Sequence, residues 1–225
     1  IFVSNYLKKI EHIEGIESSV VHNTLSNKFL DLIEANVHKK RDGFNVLMIC
    51  SLKKYKGIYE FIKISKLLES NESITFSLVL GEDDQIVNDF FNDIEIPSNM
   101  NVYSKTRDTA SYYRKASILL NLSRPDEWIE TFGLTILEGM AYGLPCIVPN
   151  VGGPSELVFN NVNGYRISCY ETLKISNLIS KLQKDVKLYN NMSTESKNLS
   201  KNFSFNEFQK QIKSIILNIK DSTKI

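Results

Sequence analysis

"SILLNLSRPDEWIETFGLTILEGMAYGLPCIVPNVGG", residues 117–153, decides the fold. "SILLNLS" (117–123) is a short apolar run, the pattern of a strand buried on both faces. The loop "RPDEWIETF" follows. "GLTILEGMAYG" then reads as a helix bounded by Gly133 and Gly143. "PCIVPNV" is the next strand, and it ends in Gly152-Gly153. Two buried strands joined through a helix are expected to lie parallel, because such a crossover returns the chain to the same end of a sheet.

The same unit repeats outward. "FNVLMIC" (44–50) is a buried strand, "SLKKYKG" a loop, and Ile58, Phe61, Ile62, Ile64, Leu67 and Leu68 recur at helical spacing. "ITFSLVLG" (74–81) and "NVYS" (101–104) are further strands. "EDDQIVNDFFND" opens with acids suited to a helix N-terminus, and "RDTASYYRKA" continues the alternation. "NGYRI" (163–167) is a last short strand, and helices fill 171–184, about 186–200 and about 205–219. This is the pattern of an α/β chain with a doubly wound, Rossmann-like parallel sheet. Ligands on such sheets bind beyond the carboxyl ends of the strands, here the loops 51–57, 81–84, 104–108, 123–132 and 149–155.

The first forty residues fit this unit less well. "IFVSNYLKKIEHIEG" reads as a strand running into a helix, and "SSVVHNTLSNKF" as a strand running into a loop. The polar "NVHKKRDG" breaks the pattern. The expected organisation is a remnant of another domain at 1–22, a linker at 23–42, the Rossmann-like domain at 43–200 and a C-terminal helix at 201–225. The start at Ile1 rather than a methionine is read as that of a piece of a longer protein.

Composition removes several function classes. With 42% hydrophobic and 24% charged residues the chain can bury a sizeable core. A net charge of +1 argues against nucleic-acid binding through bulk charge. Cys50, Cys146 and Cys169 lie far apart without C-x-x-C spacing, which suits buried thiols in a reducing compartment. No apolar run approaches the roughly 20 residues that cross a bilayer. His12, His22 and His38 all precede residue 40, so a Ser-His-Asp hydrolase or His-rich zinc site in the main body is disfavoured. "GEDDQ" lacks D-x-D spacing, and no divalent metal or cofactor is expected. Only Gly57 is present where a dinucleotide fingerprint needs three glycines, which disfavours a nicotinamide oxidoreductase.

Chemistry concentrates at two glutamates, Glu130 and Glu138, eight positions apart. Spacing alone says little; Phe132-Gly133-Leu134 between them says more. A glycine there opens a helix whose free N–H groups and positive dipole end favour a diphosphate by about 0.3–2 kcal/mol. Glu138 is placed to take vicinal hydroxyls such as a ribose, and Glu130 the group beyond the phosphates. The plain alternative makes Glu130 a solvated loop residue and Glu138 an exposed helix position. In "CSLKKYKGI", Lys56 and Gly57 stand where a lysine neutralises phosphate, or else Lys53, Lys54 and Lys56 form a solvated loop. Gly152-Gly153 read equally as a simple turn or as a sugar cradle, with Glu156 capping the next helix.

Residues 121–167 resemble the signature region of the family 4 retaining glycosyltransferases of the GT-B fold (glycosyl transferases group 1). The E-x7-E spacing, the F-G between, "GLPCI" and "GGPSE" match in order, and "SLKKYKG" and "VVHN" resemble earlier markers. The resemblance implies the C-terminal, donor-binding half of an enzyme that transfers sugar from a nucleotide-sugar with retention. The acceptor, a glycan or lipid-linked saccharide, would be held by an N-terminal domain. "IFVSNYLKK" is similar to that domain's final strand and helix, and "NFSFNEFQKQI" to the helix that crosses back.

By the same resemblance Glu130 sits by the donor sugar as the catalytic residue and Glu138 binds the ribose. Phe132, Gly133, Leu134 and Thr135 supply backbone contacts, and Lys56, with Gly57, meets the phosphates. Nucleobase contacts fall near Gly81-Glu82 and Val102-Tyr103-Ser104. One departure is Ser51, where the family often has arginine; Lys53, Lys54 or Arg124 are the candidate substitutes. The Lys-, Asn- and Ile-rich composition suits a cytoplasmic polysaccharide-biosynthesis enzyme; also expected are peripheral membrane association of the full enzyme and a 225-residue chain that binds nucleotide weakly without efficient transfer. The rival expectation is a non-catalytic nucleotide- or sugar-binding module of the same fold.

Overall fold

The computed structural model describes residues 1–34 and 43–222. Six strands form one wholly parallel sheet: β1 (Phe44–Cys50), β2 (Ile74–Leu80), β3 (Met100–Tyr103), β4 (Ile118–Leu120), β5 (Cys146–Val148) and β6 (Gly164–Arg166). Their spatial order is β3-β2-β1-β4-β5-β6. The order runs outward in both directions from the β1–β4 pair, so loops leaving these two strands diverge and open a crevice between them.

Ten helices are described: α1 (Asn5–Ile10), α2 (Asn27–Glu34), α3 (Ile58–Leu67), α4 (Asp84–Phe91), α5 (Thr109–Lys115), α6 (Leu134–Ala141), α7 (Pro154–Leu157), α8 (Thr172–Lys184), α9 (Val186–Ser200) and α10 (Phe205–Ser222). The pleat of β1 sends Val46 and Met48 to one face and Leu47 to the other. On the first face they meet Phe61 and Ile64 of α3 and Ile175 and Ile179 of α8. On the second, Leu47 joins Tyr113 of α5 and Ile136, Leu137 and Met140 of α6. A strand covered on both sides has no polar face, which is why "FNVLMIC" reads as a continuous apolar run.

The strands and main helices expected from 44 onward are present: β1 spans its expected residues in full, whereas β4 and β5 are much shorter than expected. β4 ends at Leu120, because the Asn121 side chain accepts the Ser123 N–H at 3.1 Å and turns the chain out of the sheet. β5 stops at Val148, just before Pro149, which has no N–H to offer the ladder.

The N-terminal stretch is less regular than the sequence suggested. Its two expected strands reduce to one parallel bridge, Phe2 with Val20. Ser4 caps α1 by accepting the Leu7 N–H. Within the expected linker, α2 folds against the second face, with Phe29 edge-on to Tyr113 and Tyr142. Residues 35–42, with most of "NVHKKRDG", lie outside the described residues.

Gly57 joins the two halves of the crevice. It has φ +81°, and a Cβ there would lie 2.2 Å from the Leu122 carbonyl oxygen. Only glycine lets the β1–α3 loop touch the end of β4 this closely.

Candidate functional site

Beyond the carboxyl ends of β1 and β4 lies a cavity of about 240 Å³. Cys50 and Ser51 enter it from β1, Asn121 and Ser123 from β4, and Leu134 and Thr135 from the first turn of α6. Lys56 and Glu130 close it. The strand order alone puts the opening here, and the apolar α6 fixes its rim by burying Ile136, Leu137 and Met140 underneath.

Lys56 Nζ lies 2.7 Å from Glu130 Oε2, with both side chains largely enclosed. This ion pair links residues 74 positions apart, so the two halves of the crevice meet through it. Gly133, in the left-handed region at φ +98°, ends the loop and opens α6. Its carbonyl accepts the N–H groups of Ile136 and Leu137. The first N–H groups of a helix have no partner within it, so the cavity is bordered by a helix N-terminus beside an ammonium group.

One turn further along α6, Glu138 Oε2 accepts a 2.6 Å hydrogen bond from the Tyr113 hydroxyl. Burial pushes the Glu138 carboxyl above the usual range, while the phenol draws it back down. The Tyr113 hydroxyl is held well above its ordinary value by burial and by the neighbouring Glu138 charge. At the cavity wall, burial pushes the Cys50 thiol up to about 12, against the pull of Lys56.

The loop 123–132 is clamped. Arg124 holds Glu60 at 2.8 Å and Glu127 at 2.7 Å, and its N–H donates to the Tyr55 carbonyl. Trp128 stacks on Tyr55, and the Gly153 N–H donates to the Glu130 carbonyl.

The sequence signature described as "Glycosyl transferases group 1" matches residues 31–199, well over half of the chain. This chain belongs to that family.

The group 1 glycosyltransferase chain is 27% identical, over 75% of its own length and 43% of the relative's, to the Escherichia coli UDP-Gal:alpha-D-GlcNAc-diphosphoundecaprenol alpha-1,3-galactosyltransferase. It spans about half or less of the length of the curated relatives it matches. Among solved structures it is similar to sucrose-phosphate synthase from Thermosynechococcus elongatus, with TM-score 0.78 and 16% identity over 98% of this chain and 58% of that one. It is also similar to Anabaena HepE in complex with UDP-glucose, with TM-score 0.69 and 19% identity over 89% and 57%. These likenesses carry the GT-B, Rossmann-like fold.

The expected site residues of this family member divide into groups. Lys56, Glu130, Leu134 and Thr135 share the cavity. Glu138 lies along the same helix, held by Tyr113. The Phe132 ring faces the other way, into contact with His22 and Phe203, which leaves only its backbone toward the site. Gly57 is buried against Leu122 and works as the close-packing point already described. Gly81 donates its N–H to the Cys50 carbonyl, and the Glu82 carboxylate accepts the Leu52 N–H at 2.8 Å, bracing the β1 loop. Tyr103 and Ser104 line a separate, open cavity of about 340 Å³ at the end of β3.

Of the substitutes weighed for the arginine absent at Ser51, Arg124 is committed to Glu60 and Glu127. Lys53 and Lys54 are exposed and do not line the 240 Å³ cavity. Gly152 and Gly153 are glycines because the 129–132 backbone presses on them: a Cβ on Gly153 would lie 2.3 Å from the Thr131 carbonyl oxygen. The sequence reading missed Tyr113, Cys50, Asn121 and Ser123. The β4 end was legible as a ligand-bearing edge, whereas nothing in "SYYRKA" marks Tyr113 over Tyr112. Among the described residues no helix is long and apolar enough to cross a membrane.

Proposed function

We propose that the chain is the donor-binding part of a retaining glycosyltransferase, with the nucleotide-sugar lodged at the β1–β4 crevice. The observation that carries this reading is the Lys56–Glu130 pair closing a cavity at the N-terminus of α6. A diphosphate placed there meets the free N–H groups of α6 and competes with Glu130 for Lys56. Released from the lysine, Glu130 faces the donor sugar, and Glu138 accepts hydrogen bonds from the ribose hydroxyls. Tyr103 and Ser104 stand on the nucleobase side. Anabaena HepE binds UDP-glucose and S. aureus TarM binds UDP in their solved complexes, which supports a nucleotide-sugar here. The acceptor, a saccharide or lipid-linked saccharide, and efficient transfer then belong to the other half of a two-domain enzyme. No divalent metal takes part, so chelator leaves turnover unchanged.

The test combines calorimetry on this chain with turnover in the intact enzyme. UDP-, GDP-, ADP- and dTDP-sugars are titrated against the chain, and one is expected to bind. Glu130→Gln in the intact enzyme is expected to abolish turnover while nucleotide affinity persists. Unchanged turnover would reject the catalytic role, and a soaked donor lodged away from residues 130–138 would reject the site.

A further inference from the structure

The hydroxyl of Tyr113 is an unusual neighbour for a binding carboxylate. The residue is fully buried, at 0% exposure, yet its phenol donates to Glu138 Oε2 at 2.6 Å and approaches the Thr135 carbonyl at 3.4 Å. The ring cannot turn away. It stacks on Tyr142 at 5.6 Å between centroids with 11° between planes, and Phe29 meets it edge-on. A phenol locked this way fixes the direction of any acceptor it holds, since hydrogen bonds weaken steeply off-axis.

Glu138 itself has few other constraints. It is half-buried on the second turn of α6, and Tyr113 is the hydrogen-bond donor found for its side chain among the described residues. A glutamate side chain free to sample several rotamers would lose entropy on meeting a ligand; one already held would not.

The geometry points to Tyr113 as a positioning residue that holds Glu138 in the rotamer required to receive the ribose diol. This rests on the reading of Glu138 as the ribose-binding residue. The arrangement uses one carboxylate oxygen for the phenol and leaves the other free for hydroxyl donors. The other titratable groups packed around the pair are Tyr142, which also feels Asp108 and Arg114, and the buried Cys146 next to Tyr113. A hydrogen bond from the phenol favours the ionised carboxylate, the form that accepts from both ribose hydroxyls.

The experiment compares binding of UDP and 2′,3′-dideoxy-UDP to the wild-type chain and to Tyr113→Phe, by calorimetry across a pH series, with thermal melting as the check on folding. The wild type is expected to prefer UDP. Tyr113→Phe is expected to weaken UDP about tenfold while changing the dideoxy nucleotide by less than about twofold. The pH below which the UDP preference fades is expected to move upward in the variant, because the carboxylate has lost a stabilising donor. Equal weakening of both nucleotides, or none, overturns the positioning role and leaves the ribose reading intact. A wild type that binds both nucleotides equally overturns the ribose reading itself. If Tyr113→Phe does not fold, a crystal of the wild-type chain with UDP decides: a ribose diol on Glu138 with the Tyr113 hydrogen bond to Oε2 kept supports the positioning role, and a complex in which that hydrogen bond is broken overturns it.

Discussion

Glu138 is a carboxylate in a position that does not suit its charge, and this has a thermodynamic signature. Burial raises its pKa in the folded chain, with the Tyr113 hydrogen bond opposing the shift. The native state therefore keeps the proton to a higher pH than the unfolded chain does. Stability from this group is greatest below the unfolded value, about 4.3, and falls as pH rises through the native value. Glu138→Gln keeps an oxygen that accepts from Tyr113 and removes the charge. In urea titrations at several pH values, the variant is expected to lose the wild-type fall and to be at least as stable at neutral pH. Its UDP affinity, read by calorimetry, is expected to drop. Stability gained where binding is lost is the usual mark of a side chain kept for a ligand. At this scale the sequence was partly legible. An acid on a helix apolar nearly all round was out of place, but its partner lay 25 positions away and gave no sign.

The loop between β4 and α6 is the element on which the site depends. It carries Glu130, and it is anchored by Arg124 to Glu60 of α3. Glu60 is 9% exposed, so its charge is tolerated only because the guanidinium covers it. Arg124→Ala strands that carboxylate and is expected to cost about 2–3 kcal/mol in denaturant unfolding. The freed loop also carries Glu130 away from Lys56, so proteolysis within 123–132 is expected to accelerate. Wild-type resistance to cleavage in the variant would show that Trp128 on Tyr55 and Gly153 against Glu130 suffice to hold the loop. Helix and strand identities from residue 44 onward followed from apolar periodicity, because burial on one face or on both writes itself into local spacing. The clamp did not: ion pairs between α3 and a loop 64 positions later obey no local period. Gly57 and Gly153 were visible as glycines but not as contacts, since their reason lies in Leu122 and Thr131.

Across the whole molecule the first residues are tied to α7. The Glu156 carboxylate accepts the N–H groups of Asn5 at 3.0 Å and Tyr6 at 2.6 Å, and the Asn5 side-chain amide at 3.0 Å. His22 lies 3.7 Å from the same carboxylate and packs on Phe132 and Phe203. The N-terminal segment, α7 and the turn before α10 thus converge around His22 and Phe132. Glu156→Ala is expected to raise amide hydrogen exchange in residues 5–10 by about tenfold or more, with core strands unchanged. Exchange unchanged in both regions would mean that Ser4 capping alone holds α1.

The sequence by itself determined the alternation of strands and helices, the largely apolar strands that require a two-sided sheet, and the edge of that sheet at which a ligand is expected. It also singled out Glu130, Glu138 and Lys56 as residues of interest. Only the tertiary structure decided that Lys56 closes on Glu130 and that Tyr113 grips Glu138. It alone showed Arg124 committed to Glu60, with no freedom to replace the arginine absent at Ser51. The reason is range. Secondary structure and burial are encoded in the spacing of neighbours along the chain. A hydrogen bond or ion pair depends on which distant surfaces the fold brings within about 3 Å of each other.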